Sequence, residues 1–267
     1  DAEMTTLTNT IKSKKLGYPW CIGIESGGAT GWAATDWMEE YVLRYGGEAQ
    51  YTAWWKGKLA WSSPTVQKAA KKFAEVALTP GNVNGGGKAI AATGFGATAN
   101  LFATDKNKCF MMRQGSFITD FFPDAVKAEY KANNFTRVGV FKLPAPAGTT
   151  DAVLGGGDLA AAFDANPATQ KVLNFILSDK LGTGAMLATY PSYLSAHKTF
   201  PSAGYKNPIT KNIAGILSTA KLFGFDGSDL APAVVNATEW TELTNWIAGK
   251  KTQKQAFDAI DASWKKA

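Results

Sequence analysis

Residues 18–45 confine the fold more than any other stretch. Tyr18 to Ile24 is an apolar run of strand character. The loop Glu25-Ser-Gly-Gly-Ala-Thr-Gly31 follows, built of glycine and small hydroxyl residues. Thr35 to Tyr45 then sets Trp37, Tyr41 and Arg44 or Tyr45 at helical spacing and stops at Gly46-Gly47. Strand, loop and helix therefore succeed one another within 28 residues (18 to 45). Similar alternation further on predicts an α/β protein.

The rest of the chain supplies the other elements. DAEMTTLTNTIKSKK puts Met4, Leu7 and Ile11 on one helical face, with Asp1 as a candidate cap. A short helix is expected over Tyr51–Leu59. SSPTVQKAAKKFAEVAL predicts a further helix, with Ser63 as cap, Pro64 in the first turn and an apolar face of Val66, Ala70, Phe73 and Val76–Ala77. Pro80–Gly87 reads as a loop and AIAAT (89–93) as a short strand. Cys109–Arg113 and Val138–Leu143 read as strands, the first after the turn DKNK and the second ended by Pro-Ala-Pro. Val153–Phe163 reads as a glycine turn leading into a strand of small residues. Asn166-Pro167 caps a helix to Leu177, and Ala185–Leu194 and Pro208–Leu222 look helical or loop-linked. Glu239–Ala248 and Thr252–Trp264 form a final helix pair about Gly249. No internal repeat is visible.

Composition narrows the function. The 267 residues suffice for one large domain or two lobes with real cores. No run approaches the roughly 18 unbroken apolar residues of a membrane span. The net charge of +6 is spread among acids, and no basic cluster is interleaved with aromatics, which argues against nucleic acid as a partner. No G-x-x-x-x-G-K-[ST] loop exists, and the loop 25–31 has no lysine to hold a phosphate. Gly94-Phe-Gly96-Ala-Thr-Ala99 matches G-x-G-x-x-A, but the strand before it is short. The single histidine, His197, cannot build a common zinc site and leaves little choice of catalytic base. No cofactor and no metal are expected. Nine tryptophans suggest flat apolar surfaces held at a site, as on sugar-binding walls, where carboxylates and amides take the hydroxyls.

Cys21 and Cys109 each lie in an apolar run, CIGI and CFMM. If the two strands are neighbours, a disulfide joins them, and the protein works outside the cytosol. Two buried free thiols are the alternative. The bond is the expectation.

Three stretches then carry a resemblance: PWCIGIESGGATGWAATDWMEEYVLRYGG, SSPTVQKAAKKFAEVALTPGNVNGG and CFMMRQGSF. They resemble the extracellular solute-binding proteins of carbohydrate ABC importers, nearest the α-glucoside-binding type and distantly similar to maltose-binding protein. VLGGGDLAAAFDANPATQKVLNFILSD resembles that family's crossing to the other lobe, and EWTELTNWIAGKKTQKQAFDAIDASWKKA its closing helices. The resemblance implies a periplasmic-binding-protein-like α/β fold, one complete lobe plus part of a second joined by hinge strands. Residues 1–145 and 205–267 would form the second, C-terminal-type lobe, and residues 150–200 a remnant of the first. Hinge crossings would fall near 145–152 and 200–207. The opening of the first lobe has no counterpart here. With Asp1 already inside a helix, the chain reads as processed or as a piece of something longer.

The same resemblance implies ligand contacts. Glu25, Ser26, Thr30 and Trp32 would line the loop, with Asp36 and Trp37 opening the helix behind it. Gln114 and Phe117 follow the CFMM strand. Gly156 and Asp158 match a hinge-side loop, and Trp240 the aromatic at the start of a closing helix. The function implied is binding of an α-glucoside or oligosaccharide and its delivery to a membrane ABC permease, with no catalysis. The setting would be extracellular or periplasmic, tethered as a lipoprotein in the full-length form. Two other readings stand beside it. A glycoside hydrolase would need two carboxylates across a sugar, with Glu25, Asp36, Asp120 and Asp158 as candidates. A split or fragmentary protein would have its missing lobe supplied by a separate polypeptide.

Overall fold

A computed structural model describes residues 1–102, 108–132, 137–183, 192–205 and 207–267. The chain forms two compact units. The first comprises residues 1–114, 143–155 and 220–267, and the second residues 115–142 and 156–219. The chain therefore passes from one unit to the other four times.

The first unit opens with α1 (Ala2–Ser13), which buries Met4 and Ile11. Leu7 stays exposed, and Asp1 makes no side-chain cap; its carboxylate pairs instead with Lys72 at 2.8 Å. The expected strand over 18–24 forms a ladder only at β1 (Tyr18–Trp20), which pairs in parallel with β2 (Cys109–Met111). Beyond Trp20 the chain still bonds on both sides: Cys21 N–H donates to Met111 O and Ile24 N–H to Ile90 O. Cys21 and Cys109 are disulfide-bonded, with Cα atoms 5.4 Å apart. The free-thiol alternative is thereby set aside.

The helices expected over 35–45 and 51–59 are both present, following each other without a loop as α2 (Trp32–Trp55), two helical stretches joined across a kink at Gly47 (φ 64°, ψ −174°). Its first half is enclosed nearly all round, with the polar residues Thr35, Glu39, Glu40 and Arg44 buried among the apolar ones. Ala34, Met38, Tyr41, Val42 and Leu43 have no exposed surface. α3 (Pro64–Ala77) lies where its pattern predicts and packs on α2 through Val66, Ala70 and Phe73. Val66 and Phe73 each contribute about 1.5–3 kcal/mol and the Ala70 methyl group about 0.8 kcal/mol. Pro64 holds the first turn, but the Ser63 hydroxyl makes no cap bond. AIAAT is not a strand. It belongs to α4 (Gly86–Ala92) and ends it, because alternating small residues suit either conformation. With no strand before Gly94, the dinucleotide motif loses its context.

Residues 138–143 form no ladder, so the expected strand there is absent; proline follows at once and no partner strand lies alongside among the described residues. β3 (Val153–Gly155) precedes its glycines instead of following them. It pairs in parallel with β4 (Phe223–Phe225), a strand too short and glycine-centred for the pattern to reveal. α8 and α9 close the first unit, α8 spanning Ala233–Ile247 and α9 Gln253–Ser263, with a capping box of Thr252 and Gln255.

The aromatic excess is mainly core. Trp20, Trp37, Trp54, Trp61 and Trp246 are buried. Trp61 meets Trp54 and Phe257, each at 5.0 Å between centroids, and Trp246 meets Phe73 at 5.7 Å. Five of the nine tryptophans thus belong to the core, and Trp32, Trp55, Trp240 and Trp264 are left for other roles.

In the second unit, α5 (Asp124–Lys131) is followed by α6 (Pro167–Ile176) and α7 (Pro208–Ser218). Asn166 and Asn207 cap the latter two through backbone N–H groups. Residues 158–163, expected as a strand, are irregular, with Leu159 and Phe163 almost wholly exposed. Most of the segment 185–194 and most of the DKNK turn fall outside the described residues.

Candidate functional site

The loop 25–31 leaves the carboxyl end of the β1 run, where open α/β sheets bind ligands. Glu25 bridges in parallel to Gly94: its N–H donates to Thr93 O, and its carbonyl accepts from Phe95 N–H. Its carboxylate turns back to accept from Gly27 N–H at 2.8 Å. Ser26 N–H donates to Thr30 Oγ1 (3.0 Å), and that hydroxyl donates to Gly27 O (2.7 Å). The loop thus satisfies its own short side chains and leaves Gly27 and Gly28 exposed, with open space above both. Gly31 (φ 116°) turns the chain into α2 beneath the backbone of Trp240. Trp32, half-buried, sets its ring edge-on to Phe95 at 5.1 Å.

At the ends of both strands a void of about 10 Å³, room for a single water, is lined by Ile22, Gly23, Thr98, Met112, Arg113 and Gln114. The helix begins at Trp32, not at Asp36, and so Asp36 lies a full turn inside α2. There it meets Arg113 Nη1 at 2.7 Å, while Arg113 Nη2 reaches Glu40 at 3.1 Å. Burial pushes the Asp36 carboxyl up to about 6, against the pull of Arg113 and helped by Asp226 and Glu40. Burial disfavours the Arg113 charge, but Asp36 and Glu40 hold it above its ordinary value. Arg113 is the residue the sequence reading missed; its place just past a strand's carboxyl end was the available signal.

Other implied contacts divide between the units. Glu25, Ser26, Thr30, Trp32, Asp36, Gln114 and Trp240 belong to the first unit. Trp240 lies in the middle of α8 rather than at its start, since the helix already begins at Ala233, after Pro232. Its indole nitrogen is buried with no hydrogen-bond partner among the described residues. Phe117, Gly156 and Asp158 belong to the second unit, where all three are exposed. Among the hydrolase candidates, Asp36 is occupied by Arg113, and Asp120 accepts from Ser192 Oγ at 2.9 Å. Among the described residues no cluster of three or more His, Cys, Asp or Glu could hold a metal.

A larger cavity of about 180 Å³ lies between α1 and α3. Its lysines are already engaged, Lys12 by Pro80 O and Asn82 and Lys72 by Asp1.

No family model matches the chain. It is 32% identical over 264 residues to the osmoprotective compounds-binding protein of Synechocystis sp., covering 98% of this chain and 60% of that protein. It is 34% identical over 263 residues to the α-glucosides-binding periplasmic protein of Rhizobium meliloti, covering 98% of this chain and 56% of that one. The chain therefore spans between half and two thirds of these relatives' length. Among solved structures it superposes on a chitin oligosaccharide binding protein with a TM-score of 0.76 at 17% identity, over all of this chain and 64% of that one. It superposes on a Bacillus licheniformis sugar transporter, solved with stachyose, with a TM-score of 0.64 at 16% identity, covering 98% of this chain and 64% of that chain. The periplasmic-binding-protein-like α/β fold expected from the resemblance is thereby shown.

Proposed function

We propose that this chain, homologous over nearly its whole length to solute-binding proteins, forms one wall of a carbohydrate site in an importer's binding protein. Its sugar, of α-glucoside or oligosaccharide type, would pass to a membrane ABC permease. The observation that carries the reading is the bare loop Gly27–Gly28 at a strand's carboxyl end, followed at once by the half-buried Trp32. Peptide groups and short hydroxyls suit sugar hydroxyls, and an indole face suits the sugar's C–H face. Glu25, Ser26, Thr30, Trp32 and Gln114 are the proposed contacts on this wall. Phe117, Gly156 and Asp158 are proposed contacts from the second unit, and Trp240 borders the wall through Gly31. Asp36 acts behind it, by holding Arg113.

The first unit corresponds, in this reading, to the C-terminal-type lobe and the second to a remnant of the other. Leu159, Phe163, Val172, Phe175 and Leu177 of the second unit are each more than half exposed, which supports a further polypeptide segment covering them. The disulfide and the periplasmic relative support a location outside the cytosol; a lipoprotein tether on the full-length form is proposed with it. No described helix is long and apolar enough to cross a membrane.

Calorimetry tests the reading on the 267-residue chain and on the complete product of its gene. The titrants are maltose-series oligosaccharides, stachyose and chitin oligosaccharides. Binding of an α-glucoside is expected, with Trp32→Ala weakening it by roughly tenfold or more. A ligand at 100 times its Kd should stabilise the fold by about 2.7 kcal/mol. Neither heat nor a melting shift with any sugar would overturn the reading.

A further inference from the structure

α2 carries a polar row inside an otherwise apolar, enclosed helix. Asp36, Glu40 and Arg44 recur every four residues on one stripe, with Glu39 beside them, and all are buried or nearly so. Buried charges cost stability unless each is paired and hydrogen-bonded. Here each has an ion-pair or hydrogen-bond partner, although Arg44 Nε is buried with no hydrogen-bond partner among the described residues, and the partners outside α2 lie near points where the chain leaves or re-enters the first unit.

The four crossings can be taken in turn. Asp36 and Glu40 grip Arg113, two residues before the chain leaves at Gly115. Arg44, itself paired with Glu40 at 2.6 Å, donates from Nη2 to Leu143 O, the first residue on the return; its carbonyl accepts from Thr150 N–H at 2.9 Å. Gly155, the last residue before the next exit, accepts from Asp226 N–H at 2.9 Å. Glu39 takes the segment just past β4: it accepts from Gly227 N–H at 2.8 Å, Ser228 N–H at 3.1 Å and Tyr51 Oη at 2.9 Å. Tyr51 Oη also donates to Phe225 O at 2.7 Å. Burial pushes the Glu39 carboxyl well above its usual range, with Asp226 and Asp36 adding to it. An apolar residue at position 39 would escape that cost but could not hold two backbone N–H groups in a fixed direction.

We propose that Asp36, Glu39, Glu40 and Arg44 are positioning residues. Together they clasp three of the four crossing segments to one helix directly, the crossing at Gly155 being tied in through the β3–β4 pairing, and so restrict the range over which the second unit moves as the protein closes on its ligand. The inference rests on the reading of the chain as a binding protein, but its test needs no sugar. Hinge segments that must flex while keeping their anchor points fit a directional polar clasp better than a greasy one.

The two native cysteines are bonded to each other, so introduced thiols at exposed Lys58→Cys and Lys171→Cys can take nitroxide labels without reductant. Pulsed electron resonance then reads the spread of distances between the labels. Glu39→Gln can accept on one atom only, and its amide NH2 faces a backbone donor. Arg44→Lys keeps a charge for Glu40 but cannot fork to Leu143 O. Val66→Ala, in the α3 core, serves as a control matched in melting temperature. Expected results are a broader distance distribution in both clasp variants and an unchanged one in the control. In Glu39→Gln, the amides of Gly227 and Ser228 should exchange roughly tenfold faster. Clasp variants as narrow as the parent would overturn the proposal, and so would a control that broadens as much as they do. If Glu39→Gln does not fold, Arg44→Lys alone decides. A chain that binds no sugar can still show the clasp, and one that binds sugar can still lack it.

Discussion

The loop 25–31 contains a graded experiment in three glycines. Gly28 has no positive φ and nothing within 4 Å of where a Cβ would stand. Alanine there should leave stability unchanged or raise it by up to about 0.5–1 kcal/mol, by restricting the unfolded chain. Gly27 also has open space, but its φ of 57° is left-handed. Alanine there should cost about 1 kcal/mol from the backbone alone. Gly31 combines two penalties. Its φ of 116° suits no side chain, and an added Cβ would stand 2.6 Å from Trp240 Cα, with Trp240 O nearer still. Strain of about 1–3 kcal/mol and overpacking of about 1–3 kcal/mol add to about 2–6 kcal/mol. Urea unfolding at neutral pH measures all three. With a slope of about 1–3 kcal/mol per molar, Gly31→Ala should lower the midpoint by roughly 1–3 M, while Gly28→Ala should not lower it. A Gly31→Ala midpoint within roughly 0.3 M of the parent would refute the placement of α8 against this loop. Gly28→Ala has a second use. Because it leaves the fold intact and adds a methyl group to the proposed wall, it should weaken sugar binding without lowering the melting temperature.

Other expectations follow from the same geometry. Reducing the Cys21–Cys109 bond, which closes 88 residues, should cost about 2–4 kcal/mol, read as a drop in melting temperature; alkylation of both cysteines in denaturant without reductant would refute the bond. Burial pushes the Glu239 carboxyl up to about 8, against the hydrogen bond from Trp61. A raised acid binds its proton more tightly in the folded state, so stability should fall as pH rises from about 4.5 to about 8, by roughly 3–5 kcal/mol. Glu239→Gln should flatten that profile in urea titrations at pH 5 and 8.5; parallel profiles would reject the assignment. Asn166→Ala removes the acceptor for two N–H groups at the start of α6 and should cost about 1 kcal/mol locally, seen as faster amide exchange over residues 168–170.

Helices with strong end signals were legible. α3 has proline in its first turn and an apolar face at strict spacing, α6 has Asn-Pro, and α9 has a threonine cap with glutamine three residues on. What escaped was settled by partners distant in sequence. β4 is three residues centred on glycine, and only its pairing with Val153–Gly155 makes it a strand. Residues 138–143 have β-forming side chains but no partner strand among the described residues. Trp32 to Trp55 was legible as two helical stretches because Gly46-Gly47 marks the kink between them. At the site, the loop was legible because glycines after a strand leave few other options. Arg113 was not, since its meaning lies in Asp36, 77 positions away. Tryptophan counts say little for a related reason: composition cannot separate an indole against Phe257 from one beside an open loop.

The first unit is discontinuous in sequence, and that sets an order of events. Trp61 and Phe73 are complete in the first 114 residues, but their partners Phe257 and Trp246 arrive only with α8 and α9. At about 5–20 residues per second, the ribosome needs roughly ten seconds to reach Ala233 after finishing Gln114. For that interval the nascent half carries an unroofed aromatic layer. Cys21 and Cys109 both lie in the early half, so oxidation can pin β1 beside β2 before the roof exists. The last 48 residues (220–267) are then less a tail than a keystone, and trimming them should leave an aggregate rather than a smaller working lobe.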